Sequence, residues 1–216
     1  MHQMKTSNIL IGFFVIISLV VTIISAHNIS KRFDVYKERG EMIKGDHSQM
    51  YAYNLPWCNK MEVRGENSLN VHIRQSSNSS TKVWVERTYK DSVVVNVNDS
   101  SLTISSMMKN SNALVIVYMP KLTEVEANSA ECYLSDFASD FLRIRALGNA
   151  NISLDKSNIK EMDFLADDNA SMDVKDNVKV AAWSIHMDGN ARLYGISPNS
   201  KLNMSVKGNA NVSLAD

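Results

Sequence analysis

A three-residue phrase recurs at near-constant spacing along the second half of this chain, and no other feature constrains the fold as much. It reads Gly148-Asn149-Ala150, Asp168-Asn169-Ala170, Gly189-Asn190-Ala191 and Gly208-Asn209-Ala210, so its asparagines lie 20, 21 and 19 residues apart. A period near 20 with strand-like flanks marks a solenoid, in which each copy is one coil stacked on the last. Seven, five and three residues before each Asn stand apolar side chains: Leu142, Ile144, Ala146; Met162, Phe164, Ala166; Trp183, Ile185, Met187; Leu202, Met204, Val206. Three and five residues after it stand Ile152 and Leu154, Met172 and Val174, Leu193 and Gly195, Val212 and Leu214. Alternation on both sides of a polar corner predicts two strands per coil with one face inward. Like residues would then stack over like, about 4.8 Å apart. The expected architecture is all-β, a single-stranded parallel β-helix with an apolar interior.

The corner has its own chemistry. Asn tolerates left-handed backbone angles, and a preceding Gly relaxes the turn further. Stacked Asn side chains can hydrogen-bond from coil to coil. Asn149, Asn169, Asn190 and Asn209 are therefore expected to form a structural ladder. The first coil is looser: Ser129-Ala130 occupies the corner, and Val125 and Ala127 are one residue out of step. Cys132 still falls at an inward position, whereas Cys58, the other of two cysteines, lies outside the coils. That placement favours a buried thiol at Cys132 over a Cys58–Cys132 disulfide.

Upstream, the pattern from Met61 onward also has period two. Leu69, Val71 and Ile73 alternate with polar residues, followed by Val83 and Val85, Val93 to Val97, and Leu102 and Ile104. Ser76–Thr81 and Asp99-Ser100 break the pattern as turns. Leu114 to Met119 is a continuous apolar run, expected to be buried on both faces and ended by Pro120.

The N-terminal part is different. Ile9 to Ile24 is apolar apart from Gly12, Ser18 and Thr22. With Ser25 and Ala26 it reaches the lower limit for a membrane-spanning helix, about 18 residues. The sequence thus divides into a tail (1–8), a transmembrane anchor or signal segment (9–26), a mixed-charge juncture (27–60) and the β domain (61–216). Both an uncleaved anchor and a cleaved signal fit residues 9–26. Orientation is in conflict. Lys5 precedes the segment while Lys31, Arg32, Lys37, Arg39 and Lys44 follow it, which by the positive-inside rule keeps the β domain in the cytoplasm. The signal-like layout argues for export, and an exported domain, periplasmic or extracellular, is the expectation.

The strand pattern Leu69-Val71-Ile73, the step Leu102-Thr103-Ile104, the run Val117-Tyr118-Met119-Pro120-Lys121-Leu122 leading into Val125, and the Gly-Asn-Ala corners occur in that order. Together they resemble the putative auto-transporter adhesin head GIN domain family, envelope proteins of Bacteroidetes, over residues 61–216. The resemblance implies a right-handed β-helix, an exported location and no established biochemical activity. This chain shows no extra element after Asp216 to cap the last coil, so an open edge and self-association around Val212–Leu214 are expected.

Catalytic signals are missing from the pattern. The five histidines, His2, His27, His47, His72 and His186, are not paired with Cys or carboxylates at metal-ligand spacing. No nucleophile elbow, phosphate loop or dinucleotide fingerprint occurs. Asp167 and Asp188 share one position on neighbouring coils, where they could bind calcium or, for Asp188, pair with Lys207. With 23 basic and 23 acidic residues the formal charge is zero, which argues against nucleic acid. The candidate ligand face is the outward strand surface two and four residues after each Asn: Asn151 and Ser153, Ser171 and Asp173, Arg192 and Tyr194, Asn211 and Ser213, with Tyr133 equivalent in the first coil. The expected function is a non-enzymatic, membrane-anchored envelope protein, an adhesin or surface-interaction module, that needs no cofactor and engages a glycan or an envelope protein. A periplasmic scaffold or sensor is the alternative, and a carbohydrate-active enzyme a more distant one.

Overall fold

The computed structural model describes residues 6–65, 69–108 and 112–215, with side chains in the first helix from residue 14 onward. Of the residues invoked above, His2, Lys5 and Asp216 lie outside the described residues. The chain divides into two units, Met1–Asp46 and His47–Asp216. In the first, helix α1 (Thr6–Lys44) takes in the apolar run and most of the charged stretch after it. From Phe14 to Ile24 its large apolar side chains are exposed. This helix is long and apolar enough, by length and composition, to cross a membrane.

Among its described residues the second unit holds one 3-10 turn (Arg87–Tyr89) and seventeen strands: β1 (Met50–Leu55), β2 (Lys60–Arg64), β3 (Leu69–Gln75), β4 (Thr81–Glu86), β5 (Val93–Asn98), β6 (Ser101–Ser106), β7 (Ala113–Met119), β8 (Glu124–Asn128), β9 (Glu131–Ser135), β10 (Ala138–Leu147), β11 (Asn151–Asp155), β12 (Asn158–Ala166), β13 (Ser171–Val174), β14 (Lys179–Met187), β15 (Arg192–Ile196), β16 (Lys201–Val206) and β17 (Asn211–Leu214). They form a nine-stranded sheet ordered β1-β4-β7-β3-β9-β11-β13-β15-β17 and an eight-stranded sheet ordered β16-β14-β12-β10-β8-β2-β6-β5.

This arrangement corrects the expected single-stranded right-handed parallel β-helix. Both sheets are mixed. β4 runs antiparallel to β1 and β7, and β5 antiparallel to β6. The order is also not sequential, because β3 lies between β7 and β9 while β2 lies between β6 and β8. The recurring corners reported only on the part of the chain that carries them. There, from β8 to β17, successive strands alternate between the sheets and pair in parallel. The earlier half turns back on itself instead. β5 and β6 meet across Asp99-Ser100, with Asp99 at a positive φ of 53°, as a tight hairpin requires.

Inner positions of both sheets share one core. Its members include Val63, Val71, Ile73, Val85, Ile104, Val115, Leu142, Ile144, Phe164 and Ile185, all fully buried. Burying side chains of this size stabilises by about 1.5–3 kcal/mol each before entropy is counted. β7, paired on both sides, is buried along nearly its whole length. Both cysteines are free and buried. The Cys58 amide donates to the buried Thr81 hydroxyl at 3.1 Å.

Candidate functional site

The four corner asparagines are joined in one chain of side-chain hydrogen bonds. Asn169 Nδ2 donates to Asn149 Oδ1 at 3.3 Å, Asn190 Nδ2 to Asn169 Oδ1 at 3.1 Å, and Asn209 Nδ2 to Asn190 Oδ1 at 3.2 Å. The left-handed residue at each corner is the one before Asn: Gly148, Asp168, Gly189 and Gly208, with φ between 59° and 72°. The Asn side chains are thus free to form the ladder while their neighbours absorb the turn. Ala150, Ala170 and Ala191 tuck inward and are buried.

Asp167 and Asp188 also serve the corners. Asp167 Oδ1 accepts the Asp168 amide at 2.8 Å, and Asp188 Oδ1 accepts the Gly189 amide at 2.7 Å. With Arg145, Leu165, His186 and Lys207 they line an open groove of about 260 Å³. Among the described residues, no group of three or more His, Cys, Asp or Glu is placed to hold a metal ion.

The outer faces of the two sheets differ in kind. On the eight-stranded sheet, charges meet across strands: Lys60 with Glu124 at 3.2 Å, Arg145 with Glu126 at 3.2 Å and Arg143 with Asp163 at 2.8 Å. Such exposed pairs contribute at most about 1 kcal/mol each, but they leave the face largely self-neutralised.

The nine-stranded sheet carries all nine residues of the candidate ligand face. Eight of them fall in two rows that cross the strands. One row runs Glu131–Asn151–Ser171–Arg192–Asn211, and the next Tyr133–Ser153–Asp173–Tyr194. Ser213 follows on β17, past a register shift in β15. Ser171 Oγ donates to Asn151 Oδ1 at 3.1 Å, and Lys175 pairs with Asp173. Tyr133 and Tyr194 are 37% and 39% exposed.

The second row continues beyond Tyr133 to residues that the sequence pattern did not bring in. His72 on β3 is the lateral neighbour of Tyr133, and beyond it come Ile116 on β7 and Trp84 on β4. The His72 and Tyr133 rings stack at 4.6 Å and 10°. Beside them, Asn70 Nδ2 donates to Glu131 Oε2 at 3.1 Å. Trp84 stacks on His47 at 4.4 Å, and Lys82 Nζ lies 4.4 Å from its ring centre. Burial lowers the His72 imidazole to about 4, with the Arg74 cation acting in the same direction. Burial first, and then Glu131, raises the Tyr133 phenol. At neutral pH the stack is therefore uncharged. Nothing in local sequence marks His72, because its contact depends on β3 entering the sheet out of chain order.

These features define a two-sheet β domain with one charge-paired face and one open polar and aromatic face. Residues 61–216 match the family described as Putative auto-transporter adhesin, head GIN domain, and the chain belongs to that family. The crystal structure of a putative adhesin from Bacteroides fragilis is similar in fold, with a TM-score of 0.54 at 12% identity, covering 77% of this chain and 95% of that one. A putative lipid binding protein from Parabacteroides distasonis matches at 11% identity and a TM-score of 0.47, over 78% of this chain and 98% of that one. A putative adhesin from Parabacteroides merdae matches at 15% identity and a TM-score of 0.42, over 77% and 95%. No curated protein matches the chain.

Proposed function

We propose that this chain is a non-enzymatic cell-envelope module, anchored by its N-terminal helix, that makes surface contacts through the outer face of the nine-stranded sheet. The observation that carries the reading is the pair of cross-strand rows on that sheet. They hold exposed tyrosines and small polar groups on a backbone fixed by hydrogen bonds on both sides. Ligand groups on such a scaffold need little ordering on binding, so weak individual contacts add up. The adhesin family supports the same reading, as does a helix able to cross a membrane.

Protease accessibility tests it. Digestion of the β domain in intact cells supports surface contact. Digestion only after the outer envelope is opened moves the domain to the periplasm and favours a scaffold. Protection even in spheroplasts puts it in the cytoplasm and refutes the envelope reading.

A second reading rests on β16 and β17. Of their inner-row side chains, Leu202, Met204, Val206 and Leu214 are between 37% and 51% exposed and only Val212 packs on the core, whereas earlier parallel strands bury theirs. This end suits association with another protein or a second copy. Sedimentation of the detergent-solubilised chain, with and without Met204→Lys, separates this reading from a monomeric module.

A further inference from the structure

The row that holds Tyr133 and Tyr194 is interrupted. Between them lie Ser153 on β11 and Asp173 on β13, both short. Neighbouring strands are about 4.8 Å apart, so the two tyrosines stand about 14 Å apart across the sheet. One face of the Tyr133 ring is covered by His72 on the β3 side. Its other face looks toward β11, where Ser153 is too short to fill the space. The floor of this trough is polar: Ser153, Asp173 and, one pleat upstream, Asn151 and Ser171. Downstream it opens at Asp173 into a depression of about 620 Å³ lined also by Asp155, Lys175, Asp176 and Asn177.

We infer that this trough is a binding site for a neutral oligosaccharide, an inference that rests on the proposed surface-contact role of the same face. An apolar ring wall over a floor of hydroxyl, amide and carboxylate groups matches a pyranose, which has an apolar C–H face and a rim of hydroxyls. His72, uncharged and stacked, covers one face of the Tyr133 ring and leaves the other toward the trough. Asp173, Ser153 and Asn151 accept from or donate to sugar hydroxyls. The charge balance selects against acidic sugars. Asp155, Asp173 and Asp176 outnumber Lys175 and Arg192, so a uronate would meet net repulsion. The sheet positions both tyrosines without a loop, so the site is pre-formed.

The test is isothermal titration calorimetry on the full chain in a detergent without a sugar head group. The probes are cellohexaose, xylohexaose and N-acetylchitohexaose, with hexagalacturonate as the acidic counterpart. Binding of at least one neutral hexamer, weakened about tenfold or more by Tyr133→Ala and retained in Tyr133→Phe, is the expected result. Ser153→Tyr keeps the Tyr133–His72 stack and fills the trough, so it also abolishes binding, with circular dichroism showing the fold intact. Absence of binding by all three neutral hexamers, binding of hexagalacturonate alone, or binding indifferent to Ser153→Tyr each overturns the inference. Bead adhesion separates this from the broader reading. If beads coated with the chain lose adhesion to bacterial cells on Ser153→Tyr while no hexamer binds, the sugar assignment falls and the contact face stands. If adhesion is also indifferent to Ser153→Tyr, both fall.

Discussion

Gly195→Ala is the sharpest perturbation the fold offers. Gly195 sits where β15 shifts register: Leu193 pairs with Val212, but Ile196 pairs with Leu214, so β15 holds one residue more than β17 between these pairs. Gly195 absorbs the extra residue at φ +82°, and a Cβ built on it would lie 2.0 Å from the Val174 carbonyl oxygen and 3.1 Å from its carbon. Two costs follow. A non-glycine residue in the left-handed region costs about 1–2 kcal/mol. Forcing a methyl group into a packed site costs a further 1–3 kcal/mol or so. The contact here is backbone on β13, which a rotamer change cannot relieve. The expected loss is therefore about 2–5 kcal/mol, a large share of the roughly 5–15 kcal/mol that holds a domain folded.

Denaturant titration of the detergent-solubilised chain, followed by tryptophan fluorescence to which the buried Trp183 contributes, measures this loss. Gly195→Asn divides it, since Asn tolerates the left-handed region but carries the same Cβ. The clash predicts that Asn recovers little. Gly208→Ala is the comparison, because its Cβ would lie 2.8 Å from the Gly189 carbonyl oxygen and its loss should be smaller. A Gly195→Ala loss under about 1 kcal/mol, or near-complete recovery with Asn, refutes the steric argument.

Three further outcomes are expected. Asn190→Ala removes two exposed ladder bonds and Asn209→Ala one, so the first should cost about 1–2 kcal/mol and the second about half that; equal or absent effects in the same titration exclude an energetic role for the ladder. His72 has a folded-state value near 4 against 6.5 for an unperturbed imidazole, so the unfolded chain takes up a proton first. The His72 contribution to stability is thus present above about pH 6.5 and is lost as pH falls toward 4; His72→Gln should flatten that window, and an unchanged slope counts against a buried neutral imidazole. Burial pushes the Cys132 thiol up to about 12 and raises that of Cys58 as well. Both should resist a thiol reagent in the native chain and react on unfolding, and rapid native labelling of Cys132 would place it outside the core.

What could be read from the sequence was set by how local the information is. The inward rows from Leu142 to Met187 are buried as their alternation implies, and Cys132 and Leu134 join them. Alternation is a property of one strand, and corners 19 to 21 residues apart determine which strand lies over which. Gly195 shows the limit. Counting from Asn190 puts it inward, but the bulge moves Ile196 into the buried position, because one extra residue reverses every later side chain. Sheet order in the first half was not legible. β3 pairs with β7 and β9 through contacts over 40 to 60 residues away, and no spacing in β3 itself encodes those partners. For the candidate site, the small polar floor and both tyrosines followed from periodicity. The His72 wall required the long-range pairing, and so did the difference between the two outer faces.

The two outer faces satisfy their side chains in different ways. A sheet surface in water can satisfy its side chains across strands or leave them to a ligand. The eight-stranded sheet takes the first course, with Lys60, Glu124, Arg143, Asp163, Arg145 and Glu126 meeting opposite charges on neighbouring strands. A ligand bound there would meet side chains already paired with one another, at a cost of at most about 1 kcal/mol for each exposed pair displaced. On the nine-stranded sheet the corresponding positions around Ser153 and Asp173 are short, polar and flanked by half-exposed rings. Ser171 and Asn151 share a hydrogen bond there and Asp173 pairs with Lys175, while Ser153 stands between the two rings with its hydroxyl toward solvent-accessible space. The stacked corners below hold the strands in register through Asn149, Asn169, Asn190 and Asn209. The parallel pairing of β11, β13 and β15 sets the spacing at which Ser153, Asp173 and Tyr194 stand, and the Asn ladder runs along the same stack of strands.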